Sequence, residues 1–111
     1  MKIYKNEKFT RIVFSNENSF PSFYTNFLIE EKKLKEENII VQVSDSINVS
    51  KENLLLFLDI AIQKKGNGTS FVILNPEIDI DDFPENLNIV PTLQEAEDII
   101  EMEAIERELG F

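Results

Sequence analysis

Two short runs of branched and aromatic apolar residues, set among stretches that repeat with helical period, limit most strongly how this chain can fold. Ile39, Ile40, Val41, Gln42 and Val43 form one run, and Phe71, Val72, Ile73 and Leu74 the other. Each is too short for a helix, rich in strand formers and bounded by polar residues, the pattern of strands buried on both faces. Around them the apolar spacing changes to three and four. Phe20, Phe23, Tyr24, Phe27, Leu28 and Leu34 predict an amphipathic helix running to about Glu37, with Pro21 near its first position, where the missing N–H costs nothing. Ser50 can cap a second helix over residues 51–65, apolar on more than one side between Leu54 and Ile62, and so heavily buried or covered by a partner. Gly66, Asn67 and Gly68 end it, and Lys64 and Lys65 suit the negative end of its dipole.

The two ends of the chain complete the pattern. Ile3, Phe9, Ile12, Val13 and Phe14 are strand formers, and Asn6 with Glu7 can turn a hairpin between two runs, or the segment can be one long bent strand. An acidic connection over residues 75–87, in which residues 81–87 can make one helical turn, leads to a last strand at Asn88, Ile89 and Val90. Thr92 and Glu95 then form a capping box. Gly110 can turn left-handed after the last turn, with Phe111 folding back toward Ile105. Leu93, Ala96, Ile99, Ile100, Met102, Ile105 and Leu109 give this closing helix a broad apolar stripe. The order predicts a single small α/β domain with a four to five stranded, mostly parallel sheet and helices packed on it. A chain of 111 residues supports one core and no second.

Charge and missing residue types restrict function. Residues 1–74 carry ten Lys/Arg against nine Asp/Glu, whereas residues 75–111 carry Arg107 alone against twelve acids. Such an acidic third repels phosphate backbones, so no nucleic-acid partner is expected, and a protein with a basic surface suits it better. With no cysteine there is neither a disulfide nor a thiol nucleophile, and with no histidine the commonest general base and metal ligand are gone. Three glycines, at 66, 68 and 110, rule out a P-loop and a dinucleotide fingerprint. No cofactor and no enzyme activity are expected. The first residues lack a signal peptide's apolar centre and no run reaches the length of a membrane span, which predicts a cytoplasmic protein without a membrane partner.

The order of elements, with a last strand running through Val90 and Pro91 into Thr92, Leu93, Gln94, Glu95 and Ala96, resembles the STAS domain family of sulfate transporters and anti-sigma-factor antagonists. In that family a strand leads to a Thr and then, two or three residues on, to the Glu-Ala that opens the final helix. The resemblance covers most of residues 9–109 and implies a regulatory or adaptor module that works by protein contact. It also implies a phosphorylated serine between a central strand and the next helix, a place held here by Ser50. Val49, Lys51 and Glu52 depart from the acidic residue, second serine and glycine of the family's motif there. Ser50 is equally a helix cap, and a phosphate would be favoured at the same helix end, so local physics accommodates both.

Two further clusters bear on function. Asp79, Asp81 and Asp82, with Glu77 and Glu85, lack the glycine and fixed bidentate glutamate of a calcium loop and read as a solvated connection, so no metal is expected. Glu97, Glu101, Glu103, Glu106 and Glu108 make the closing helix acidic, which reads either as a solubilising surface or as a docking face for a basic partner. A second class of function, a small-molecule binder or enzyme using the Phe-rich interior, stands as the alternative.

Overall fold

A computed structural model of the chain describes residues 1–14, 19–43, 49–76, 83–84 and 87–110. Five strands form one sheet in the order β1-β2-β3-β4-β5. β1 (Lys2–Lys5) runs antiparallel to β2 (Thr10–Val13), and β2, β3 (Ile39–Gln42), β4 (Phe71–Leu74) and β5 (Asn88–Val90) are parallel. Residues 1–14 are therefore a hairpin. Its turn is set by Asn6, whose side-chain oxygen accepts from the backbone N–H of Lys8 and of Phe9, both at 2.8 Å.

Alternation along the strands gives the sheet two unlike faces. Ile12, Ile39, Val41, Phe71, Ile73 and Ile89 point to one side, where α1 (Phe20–Glu31), α2 (Lys51–Leu55) and α3 (Leu58–Gly66) cover them. That core is largely aromatic. Phe14 stacks on Phe23 with ring centroids 4.3 Å apart, and Phe57 meets Phe27 edge-on at 5.2 Å and lies tilted against Phe71 at 5.7 Å. Phe9, Ile40, Val72 and Leu74 point to the other side, where α4 (Leu93–Glu108) is the one described helix packed on them.

Two helices end or break earlier than the spacing predicts, each time because a tertiary contact offers the backbone more. α1 stops at Glu31, and three-residue turns follow: Lys33 N–H donates to Glu30 O and Leu34 N–H to Glu31 O. These turns swing Leu34 into the core. Lys64, one of the two lysines expected at the C-terminal end of its own helix, instead lies 1% exposed and donates from Nζ to Leu34 O at 2.5 Å and Glu37 O at 2.7 Å. The second predicted helix divides into α2 and α3 at Leu56 and Phe57, where Leu56 N–H donates to Asn53 O and Phe57 N–H to Leu54 O. The break lets Phe57 enter the aromatic cluster, and the hydroxyl of Tyr24 donates to the freed Leu56 carbonyl at 3.1 Å. The predicted turn over residues 81–87 lies mostly outside the described residues, as does Phe111.

Candidate functional site

α4 begins as predicted. Thr92 has extended backbone (φ −132°, ψ 155°), its Oγ1 accepts from the Glu95 N–H at 3.2 Å, and its hydroxyl donates to the Glu95 carboxylate. That last bond departs from the reciprocal box, in which the carboxylate takes the cap's backbone N–H. Gly110 is left-handed at φ 84°, the conformation expected of it.

The seven apolar residues of α4 do not form one stripe. At about 100° per residue, Met102, Ile105 and Leu109 lie roughly opposite Leu93, Ala96 and Ile100 around the helix. Ala96 and Ile100 are buried, and Leu93 and Ile99 pack beside them. Met102, Ile105 and Leu109 are 52%, 56% and 67% exposed on the outward side. The spacing prediction of a single core-facing band is thus corrected: the helix is apolar on two opposed sides and its C-terminal half leaves the core.

Polar contacts hold that half to the sheet. Glu103 accepts from the Ser70 hydroxyl at 2.5 Å and from the Asn88 amide at 3.2 Å, and Arg107 donates to the same hydroxyl at 3.5 Å. Of the five glutamates expected on one docking face, Glu103 therefore turns inward. Glu106 and Glu108 are exposed, Glu101 is exposed and paired with Lys8 at 3.2 Å, and Glu97 is half-buried. With Asp98, the exposed acids flank the outward apolar residues.

Two grooves run beside α4. One, of about 410 Å³, lies between the β1–β2 turn and α4 and is lined by Phe9, Ile100, Glu97, Glu101, Lys8 and their neighbours. The other, of about 570 Å³, lies at the carboxyl ends of β2, β3 and β4, between β1 and the start of α4. Lys2, Tyr4, Arg11 and Gln42 form its polar side and Val13, Leu74 and Leu93 much of its apolar side. Arg11 places its guanidinium 4.5 Å from the centre of the Tyr4 ring and donates from Nη1 to Gln42 Oε1 at 2.6 Å. Reasoning from sequence missed this cluster, although the alternation in Thr10, Arg11, Ile12 and Val13 puts Arg11 on the sheet side opposite Ile12.

Ser50 is exposed at the start of α2, its Oγ accepting from the Asn53 N–H at 3.1 Å. This is the predicted cap, and it lies apart from the α4 surface. The acidic cluster of Glu77, Asp79, Asp81, Asp82 and Glu85 lies outside the described residues. Among the described residues no group of three or more acids could hold a metal ion, and no helix is long and apolar enough to cross a membrane. Among the described residues two side chains have displaced proton affinities. Burial holds the Lys64 ammonium below its ordinary value of 10.5, against the opposing pull of Glu31 and Glu37. Burial, helped by Asp59, raises the Tyr24 hydroxyl above 10.0. Both belong to the seams between α1, α2 and α3, which makes them structural.

Neither protein-family models nor curated proteins match this chain.

Proposed function

We propose that the chain is a non-enzymatic, STAS-like regulatory or adaptor module of the cytoplasm that acts by protein contact through the outward side of α4. One observation carries this reading: Met102, Ile105 and Leu109 stand exposed on one side of a helix whose opposite side fills its own core. Exposed apolar side chains that repeat on one helix side cost solubility unless they serve a contact. The acids that flank them favour a partner with Lys or Arg around an apolar centre. A second copy of this chain is disfavoured, because pairing α4 with α4 would set Glu101, Glu106 and Glu108 against their own kind. The strand that leads into Thr92, Glu95 and Ala96, and Ser50 as the cap that follows β3, support the family resemblance. Ser50 is accessible to a kinase, which keeps phosphorylation within this reading.

Co-purification from the source cells, with the retained protein identified, tests the proposal. Met102→Asp with Ile105→Asp is expected to abolish retention of that protein while changing stability by only about 0.5 kcal/mol, since neither side chain packs in the core. Retention by the double variant, or binding indifferent to salt between low and physiological strength, would sink the idea. An intact mass raised by one phosphate in the wild type and not in Ser50→Ala would add the phosphoswitch.

A further inference from the structure

We infer that the groove between β1 and the start of α4 is a binding site for a small monoanion with an apolar body, a carboxylate held by Arg11. The inference is independent of the contact surface on α4. Its first support is the state of Arg11. Among the described residues this half-buried guanidinium has no carboxylate partner; its neighbours there are a neutral amide and an aromatic ring. Gln42 takes one N–H of Nη1, and the Tyr4 ring lies 4.5 Å from Cζ, so two contacts restrain the planar fork before any ligand arrives. Among the described residues Nε and Nη2 have no hydrogen-bond acceptor, and that edge is the one that takes a carboxylate through two parallel bonds.

The second support is the lining. Among the described residues of the groove there are two cations, Lys2 and Arg11, and no acid. α4 itself is acidic, so the described lining is opposite in sign to the helix beside it. Val13, Leu74, Leu93 and the two prolines, Pro76 and Pro91, supply apolar wall for the rest of a ligand. A volume of about 570 Å³ is within the range of small-molecule sites. The net charge of −10 selects among anions. It repels each ligand charge at long range, while one oriented cation and one exposed one attract locally, so a single carboxylate is favoured over a polyphosphate. The start of α4 borders the groove, but Thr92 already occupies the amide of Glu95, which leaves Arg11 and the lining to hold a ligand.

Octanoate and its neutral counterpart octanamide are suitable probes, titrated separately into the full chain and followed by amide and side-chain nitrogen NMR. Octanoate is expected to shift the Arg11 Nε–H, the Gln42 side-chain amide and the Leu93 backbone amide to saturation. Octanamide, which forfeits the charge-assisted pair, should bind about tenfold or more weaker. Arg11→Gln should weaken octanoate by a similar factor, and Leu93→Trp, which leaves Arg11 in place and fills the apolar wall, should block both probes. Equal binding of the two probes, an unchanged octanoate affinity in Arg11→Gln, shifts centred outside the groove, or no saturable shift at millimolar octanoate would each overturn the inference. Loss of partner retention in the α4 double variant bears on none of these outcomes.

Discussion

The two faces of the sheet solve the same packing problem with different materials. On one side three helices press an aromatic cluster against the strands, and the polar groups found there serve the packing: Lys64 donates to two carbonyls in the turns after α1, those of Leu34 and Glu37, and Tyr24 satisfies the one left where α2 breaks from α3. On the other side one described helix touches the sheet with a few apolar residues and is then held by Glu103, Arg107 and Lys8. A face filled to density has little freedom to bind anything. A face one helix short keeps grooves, an oriented cation and an outward apolar surface, and so both proposals fall on the α4 side.

Paired truncations test this contrast most directly. Phe57→Ala should cost about 3–5 kcal/mol, because Phe57 is fully buried and touches rings from α1 and β4. Ile100→Ala removes a buried side chain from the α4 side but leaves a helix that can settle toward the sheet, and should cost about 2 kcal/mol, the low end for such changes. Thermal midpoints separate the two, since each kcal/mol moves the midpoint of a domain this size by roughly 4 °C. Equal losses would mean that the α4 side is packed as firmly as the aromatic side, and the comparison would fail.

Glu103→Ala addresses the polar fastening. It leaves the Ser70 hydroxyl, 1% exposed, and the Asn88 amide without their shared acceptor, for an expected loss of about 1–2 kcal/mol, with Glu103→Gln recovering part of it. Denaturant midpoints at unchanged slope report this. Should Glu103→Ala be neutral, the distal half of α4 is not anchored by its acids, and Glu103 could serve a partner as readily as Glu106.

Much of this division was legible in the sequence, and the part that was not has a common cause. Continuous branched runs announced β3 and β4, the capping box announced α4, and the charge split announced which end of the chain is acidic. Periodicity failed where two sides of one helix share a spacing. Ile99, Met102, Ile105 and Leu109 follow at three and four residues, yet the angle accumulated past Ile100 carries the later three to solvent. Glu103 could not be told from Glu106 by letters, since facing Ser70 and Asn88 depends on how α4 lies on β4 and β5. The ends of α1 and α2 were likewise set by distant partners, Lys64 and Tyr24, which local patterns do not contain. Arg11 had a strand-alternation signal, but Gln42 and Tyr4 reach it across two strand pairings.

The smallest effect sharpens the comparison from the alkaline side. Tyr24 holds α1 to the α2–α3 break through a hydroxyl that donates to Leu56 O, and burial raises its pKa above 10.0. The folded state therefore keeps this proton more tightly than the unfolded chain does. Its stabilising share is whole below pH 10.0 and is lost as pH climbs through the raised value, where a phenolate can no longer donate. Lys64 works in the opposite sense: its lowered pKa means that the folded state releases its proton first, so its contribution improves as pH rises toward 10.5 and is lost as pH falls through the lowered value. Comparing wild type with Tyr24→Phe cancels Lys64, which both proteins retain. The stability advantage of wild type over Tyr24→Phe should be constant up to about pH 10 and shrink above it, measured by denaturant titration at each pH. An advantage that grows above pH 10 would show that the hydroxyl is not a donor in the folded state, and the polar seam on the aromatic side would then lack the bond that makes the break between α2 and α3 tolerable.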